Sequence, residues 1–302
     1  MMRIFDSILI SSIKHLPKWF ARPFAAPYVA GETENDVVKH IKQINNKGMS
    51  ATADILGEHT QSIHEAKLIT KEYCELYKRI HQESLDCNIS IKPTHIGLDI
   101  SIEEAKKNFI KIVETAKLYS NFLRIDMESS DVTDKTFEIF KSCKENYSQI
   151  GVVLQAYLHR TLKDVSNLSS IDGFNSRICK GIYKESPSIA IHDYNLINEN
   201  YLNIAKKMHQ MGAYSGFATH NQSLIDDLLS WISEEKIPKN NFEFQVLYGV
   251  PMDGRLENLV DNGFKVRVYV PYGKDWFDYS IRRLKENPNI ARYVLKNLFK
   301  KN

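Results

Sequence analysis

From about residue 48 to residue 290 the chain alternates between two hydrophobic periods. Short β-branched or apolar runs at 50–56, 88–92, 122–126, 152–155, 176–180, 215–219, 242–247 and 265–270 predict strands. Each is followed by a segment of helical period, roughly 61–83, 102–119, 132–146, 161–169, 193–211, 221–235, 254–261 and 276–286. Ser101 ahead of Glu103 and Glu104, and Asp131 or Thr133 ahead of the run at Phe137, supply helix-start signals. Pro93, Pro187, Pro238, Pro251, Pro271 and Pro288 fall between or after these elements, where a residue without an N–H does least harm. Eight strand–helix pairs count out to a (β/α)8 barrel of α/β class in one domain, with a doubly wound sheet as the alternative. Ahead of it, residues 1–47 predict an N-terminal helical arm, which leaves 48–302 for the barrel.

Within that arm Ile4, Phe5, Ile8, Leu9 and Leu16 fall near helical spacing, and Lys14, Lys18 and Arg22 follow them. An amphipathic helix of this kind covers the protein's own body or lies on a membrane surface, and the pattern fits both. Asp6 interrupts the apolar stretch and no small-residue cleavage site follows, so no secretory signal is expected. Forty Lys and Arg against thirty-seven Asp and Glu leave +3, too weak a balance for a partner held by charge such as a nucleic acid. No apolar run approaches the ~18 residues of a spanning helix. Cys74, Cys87, Cys143 and Cys179 lie far apart, with no CxxC pair and no metal-ligand spacing. Inert thiols of this sort suit a reducing cytoplasm.

A barrel places its chemistry at the C-terminal ends of its strands. The second predicted strand ends at Lys92, the third at Asp126, the fourth at Gln155 and the fifth at Lys180-Gly181. The sixth ends in Thr219-His220-Asn221, the seventh carries Glu243 and Gln245, and the eighth reaches Tyr269. Gly57-Glu58-His59 follows the first. One polar strand end is ordinary, but the repetition points to a polar site across the whole mouth. No GxGxxG follows a strand, Gly273-Lys274-Asp275 lacks the rest of a phosphate loop, and no HExxH or GxSxG occurs. Metal binding is not expected. In the last helix Arg282 and Arg283 point about 100° apart. They form either a solvated face, with Arg282 four residues before Glu286, or a double guanidinium fork on a carboxylate or phosphate if the helix overhangs the site.

Eight strings, in order, carry a resemblance. They are Ser90-Ile-Lys92-Pro-Thr, Arg124-Ile-Asp126-Met-Glu, Leu154-Gln155-Ala-Tyr, Arg177-Ile-Cys-Lys180-Gly181, Phe217-Ala-Thr219-His220-Asn, Phe242-Glu-Phe-Gln245-Val-Leu247-Tyr-Gly, Val268-Tyr269-Val-Pro-Tyr-Gly and Tyr279-Ser-Ile-Arg282-Arg283-Leu-Lys-Glu286-Asn-Pro. Together, from about Tyr28 to Pro288, the chain resembles the proline dehydrogenases, in their short single-function bacterial form without an aldehyde dehydrogenase domain. The resemblance implies a distorted barrel holding FAD, with the eighth helix over the mouth. It implies that Lys92, Arg282 and Arg283 hold the carboxylate of L-proline, that Asp126 and Arg177 are catalytic, and that Tyr269 and Leu247 form the substrate wall. Met127, Gln155, Lys180, Gly181, Ile182, Thr219 and His220 match flavin-lining positions, and Glu58 matches a gate residue that pairs with the outer arginine. The family usually has Val-Lys-Gly-Ala-Tyr where this chain reads Cys179-Lys-Gly-Ile182-Tyr183.

The activity so implied is hydride transfer from the proline ring carbon beside nitrogen to flavin N5, giving Δ1-pyrroline-5-carboxylate. Electrons then leave to a membrane quinone, which gives the N-terminal stretch a role as a peripheral contact on the inner face of the cell membrane. A separate pyrroline-5-carboxylate dehydrogenase is the implied consumer of the product. The residues by themselves leave other readings open. Lys92 or Lys180 could form an imine in an aldolase-type barrel, with the arginines on a phosphate. A barrel that binds without turnover is a non-enzymatic alternative. Within the family, hydroxyproline is the rival substrate, and Tyr269 lies where an extra ring hydroxyl would clash.

Overall fold

The computed structural model describes Arg22 and residues 27–286, without the side chains of 284–286. The amphipathic stretch 1–20, Pro288 and the side chain of Glu286 lie outside the described residues. After helix α1 (Glu34–Asn45), strands and helices alternate: β1 (Ser50–Ile55), α2 (Ile63–Gln82), β2 (Cys87–Ile91), α3 (Ile102–Leu118), β3 (Leu123–Ile125), α4 (Thr133–Asn146), β4 (Ile150–Gln155) and α5 (Thr161–Leu168). The second half continues with β5 (Asn175–Cys179), α6 (Tyr194–Gln210), β6 (Tyr214–Ala218), α7 (Gln222–Glu234), β7 (Phe242–Leu247), α8 (Arg255–Asp261), β8 (Val266–Tyr272) and α9 (Trp276–Glu286). The strands close into a parallel barrel in sequence order, β1 lying beside both β2 and β8.

Local chemistry explains the punctuation. The Thr33 side chain accepts from the Asp36 N–H while Asp36 accepts from the Thr33 N–H, a reciprocal capping box that starts α1. Ser62, Ser101, Asp193 and Asn221 cap α2, α3, α6 and α7 more simply, each with one side-chain oxygen accepting from early N–H groups. Neither Asp131 nor Thr133 caps α4. Its N-cap is Val132, without a side-chain bond, because the turn Ser130–Val132 leads into the helix in 3-10 geometry. Pro271 is the other departure, since it lies inside β8, paired with Asp54 of β1. Its carbonyl accepts from the Ala30 N–H at 2.9 Å, so the strand end is tied to the segment before α1.

Two placements make the mouth. Helix α9 lines the cavity at the strand ends with Phe277, Tyr279, Arg282 and Arg283, so it lies over the barrel opening. A helix there leaves the flank of β8 and β1 uncovered. Helix α1 packs on those two strands instead, burying Val37, Val38, Ile41 and Ile44. Further ties are the Tyr248 hydroxyl to His40 Nδ1 at 2.9 Å and Gly273 N–H to Gly31 O at 3.0 Å. Outward-facing Phe217, Phe242 and Phe244 pack against one another with ring centroids 5.5–5.9 Å apart, sealing β6 and β7 under the outer helices.

The interior is polar well below the mouth. In the floor, Arg267 of β8 donates from Nε to Glu243 Oε1 at 2.8 Å and from Nη1 to the Ala51 carbonyl at 2.7 Å, so one side chain spans β7, β8 and β1. Arg124 of β3 donates to the carbonyls of Val152 and Asn175, both at 3.0 Å. We expect Arg267→Met to cost about 3–5 kcal/mol in urea unfolding, because it strands the buried Glu243 carboxylate. Adding Glu243→Gln to that variant should recover part of the loss; a loss unchanged in the double variant would mean that Arg267 contributes through packing alone.

Candidate active site

The centre of the barrel is an ion pair. Asp126, one residue past the end of β3, receives the Arg177 Nη1 donor at 2.7 Å on Oδ1. Ser90 of β2 donates to the same oxygen at 2.5 Å, and the Tyr269 hydroxyl of β8 donates to Oδ2 at 2.9 Å. The Arg177 guanidinium also donates from Nε to Gln245 Oε1 at 2.7 Å and lies 4.9 Å from the centre of the Tyr269 ring. Burial pushes Asp126 up, but the charges of Arg177 and Lys92 and the hydroxyl donors outweigh it and hold the carboxyl below its usual range. It is therefore a fixed anion at neutral pH.

Above this pair sits Lys92, which follows β2. Its Nζ lies 3.1 and 3.3 Å from the two carboxylate oxygens of Asp54 in β1. Burial pulls the ammonium down, yet Asp54 and Asp126 outweigh it and hold Lys92 above its ordinary range. An imine-forming lysine needs a neutral amine, so this environment runs against the aldolase-type reading for Lys92. Burial pushes Asp54 up to about 6, against the pull of Lys92 and with the charge of Asp126 adding to the rise. Glu128 fixes the turn that follows Lys92, accepting from the Thr94 N–H at 3.0 Å and from its hydroxyl at 2.5 Å. On the overhanging helix, Arg282 reaches Glu58 at 3.4 Å, and Arg283 lies buried with its guanidinium 5.4 Å from the Tyr279 ring. The overhang decides the helix question raised by the sequence, because both arginines line the cavity.

These groups border a cavity of about 930 Å³, at the upper end of ligand-binding clefts and suited to an extended ligand beside a small one. Its lining also includes Met127, Gln155, Lys180, Gly181, Ile182, Thr219 and His220, together with Tyr183 and Tyr194. Among the described residues Lys180 Nζ and the buried Gln155 Oε1 have no hydrogen-bond partner, although Lys180 lies 3.9 Å from the centre of the Tyr194 ring. Burial, with Arg283 and Lys180 nearby, pulls His220 down to about 4. The neutral ring accepts the Leu247 N–H on Nε2 at 2.8 Å, which leaves the proton on Nδ1 as a donor. Gly181 has φ +106°, and a side chain there would meet the Tyr157 ring at 2.1 Å, so the backbone itself forms that part of the wall. Unpartnered polar atoms, a bare backbone and a cationic side chain are contacts that a flavin could take, and Gln155, Lys180, Gly181, Thr219 and His220 would be the residues to hold it.

The structure thus brings Glu58, Lys92, Asp126, Met127, Gln155, Arg177, Lys180, Gly181, Ile182, Thr219, His220, Leu247, Tyr269, Arg282 and Arg283 to one cavity. Asp54 escaped the sequence reading, although Thr52-Ala53-Asp54 sets a lone charge at a barrel-facing position of a strand. Tyr183 and the role of Gln245 were missed as well, since neither is marked by spacing.

Protonation of Asp54 removes the anion that competes for Lys92. The affinity for an unreactive five-membered-ring carboxylate should therefore rise as pH falls through about 6. The expected gain is on the order of tenfold, about 1.4 kcal/mol, between the aqueous and protein-surface limits for unit charges at contact. Asp54→Asn should bind tightly at both ends of the range with no limb near that pH. A limb preserved in the variant, measured by calorimetric titration, would assign the titration to another group.

A family model described as Proline dehydrogenase matches residues 37–294. The chain is 38% identical to Proline dehydrogenase 2 of Bacillus subtilis (strain 168) over 283 residues, 94% of this chain and 93% of that one. It is 31% identical to Proline dehydrogenase of Deinococcus radiodurans over 285 residues, covering 91% and 90% of the two chains. Among solved structures, proline utilization A from Bdellovibrio bacteriovorus, inactivated by N-propargylglycine, superposes with a TM-score of 0.81 at 26% identity. That match covers 87% of this chain and 32% of the larger protein. A barrel mouth carrying this arrangement of side chains, over a chain that matches along nearly its whole length, makes this protein a member of the proline dehydrogenase family.

Proposed function

We propose that this chain is an FAD-dependent proline dehydrogenase that oxidises L-proline to Δ1-pyrroline-5-carboxylate and delivers the electrons to a quinone. The observation that carries the reading is the mouth cavity, lined by Lys92, Arg282 and Arg283 together with Gln155 Oε1 and Lys180 Nζ, which have no hydrogen-bond partner among the described residues. When bound, FAD supplies the hydride acceptor for the ring carbon beside the proline nitrogen.

The protein's own contribution is placement and charge. Lys92, Arg282 and Arg283 bind the substrate carboxylate, the two guanidinium forks fixing its plane and the ammonium its distance. Glu58, paired with Arg282, opens or closes the route past the overhanging helix. Leu247 and Tyr269 form the wall against the ring, and the Tyr269 hydroxyl is held by Asp126, so the ring of Tyr269 has one orientation. That fixed wall favours plain proline over a ring bearing a hydroxyl. Asp126 acts by holding Arg177, whose guanidinium is a fixed positive charge where negative charge builds during reduction. Apolar Ile182 and Tyr194 are exposed at the cavity rim, which suits the approach of a quinone from a membrane surface. The product is an electrophilic imine, suited to a separate pyrroline-5-carboxylate dehydrogenase. No described helix is long and apolar enough to cross a membrane.

The test is the visible spectrum of the purified protein, recorded anaerobically before and after L-proline. A bound flavin should appear, should be FAD on extraction, and should bleach with L-proline. A flavin untouched by proline, or a protein that cannot be loaded with FAD, would overturn the reading. Arg283→Leu and Lys92→Leu should each raise the half-saturating proline concentration about 10–100-fold, the loss expected for a charge-assisted hydrogen bond.

A further inference from the structure

We propose that Gln245 is a positioning residue for Arg177, with its amide orientation imposed by Glu243 and Arg267 in the barrel floor. The inference rests on the reading of Arg177 as acting at the cavity.

Arg177 crosses the barrel interior. Its Nη1 reaches Asp126 at 2.7 Å and Ser90 at 3.3 Å on one side. Those contacts, both made by one nitrogen, would let the guanidinium pivot about that end. The bond from Nε to Gln245 Oε1, 2.7 Å long, is the second anchor, made from the opposite side of the barrel by β7. With both anchors in place the plane of the fork is fixed against Tyr269.

An amide can serve this way only if its oxygen faces the arginine. Gln245 Nε2 lies 2.6 Å from Glu243 Oε1, and an ionised carboxylate can only accept, so the NH2 must face Glu243 and the oxygen must face Arg177. Burial pushes Glu243 up, but Arg267 and the Gln245 donor outweigh it, and the carboxyl is held below its usual range. Arg267 is itself tied to the Ala51 carbonyl at 2.7 Å. Arg267 and Gln245 both donate to Glu243, and Arg177 donates to both Gln245 and Asp126, so each hydrogen bond between floor and mouth has only one possible direction. An independent feature points the same way. Gly216 of β6 faces this amide, and a Cβ there would come within 2.4 Å of Gln245 Nε2. The space that glycine leaves is filled by the Gln245 side chain.

The experiment uses the flavin-loaded full chain and compares Gln245→Leu, Gly216→Ala and Glu243→Gln with the wild type. Three quantities are read in each: the rate constant of flavin reduction at saturating L-proline, the Kd of an unreactive ring carboxylate, and the midpoint potential of the bound flavin. Displacing Arg177 should slow reduction about 10–100-fold, the scale of a misplaced catalytic group, while the Kd changes less than about threefold. The potential should move to more negative values as the fixed positive charge swings away. Gly216→Ala should reproduce this signature, and Glu243→Gln should give a smaller version, because its amide tolerates either orientation of Gln245. Unchanged rate and potential in Gln245→Leu would overturn the proposal. So would a loss of rate matched by an equal loss of Kd with the potential unmoved, which is the mark of a general structural defect. Should Gln245→Leu fail to hold flavin, the other two variants decide on the same criteria. A wild-type flavin that proline does not reduce would refute the proposed activity, and the potentials alone would then decide the role of Gln245.

Discussion

The buried pair of Arg177 and Asp126 is the constraint around which the barrel is organised. Taking two charges out of water costs several kcal/mol each unless their remaining donors and acceptors are satisfied. Here Ser90, Tyr269 and Gln245 do so, from β2, β8 and β7. Each of those partners must in turn reach the barrel axis, and Gln245 needs an acceptor of its own below it. The polar interior therefore continues downward until Glu243 and Arg267 end it against the backbone of β1. Arg124 shares the same interior, and burial with Arg177 nearby pulls it down to about 9. An interior so committed to hydrogen bonding is rigid, and it aims one guanidinium at the cavity.

The second organising fact is that α9 leaves the outer ring. A helix beside β8 would aim its arginines at solvent; across the mouth it brings Arg282 to Glu58 and lines the cavity with both arginines. The flank of β8 and β1 is then covered by α1, which buries its apolar stripe of Val37, Val38, Ile41 and Ile44. The segment before α1 and the end of β8 are joined through Pro271 and Gly273. The segment before α1 is tied to α9 as well, through Trp276 Nε1 donating to Glu32 at 3.1 Å.

The cavity lining combines charged and neutral groups. Lys92 is paired with Asp54 and Arg282 with Glu58. A neutral His220, an unpartnered amide oxygen on Gln155 and a bare backbone at Gly181 offer directional contacts without competing ion pairs. Arg177 lines the same cavity, its guanidinium held by Asp126 and Gln245.

Much of the architecture was legible in the sequence. The switching periods located the eight strands and the helices between them to within a few residues, because a barrel strand shows a hydrophobic face outward and helix caps are local chemistry. Pro271 and the start of α4 read differently, since a strand edge can accept a proline and a 3-10 turn can replace a cap. The repeated polar strand ends, with the resemblance, located the cavity residues from Lys92 to Arg283. What the sequence could not supply were partnerships. Asp54 with Lys92, Gln245 with Arg177 and Glu243 with Arg267 join residues distant in the chain. Whether Arg282 and Arg283 faced solvent or the cavity was equally open, as a helix period fixes which side chains share a face but not what that face meets. Spacing determined the elements and the direction of their side chains; closure of the barrel and the crossing of α9 over it decided which charges meet.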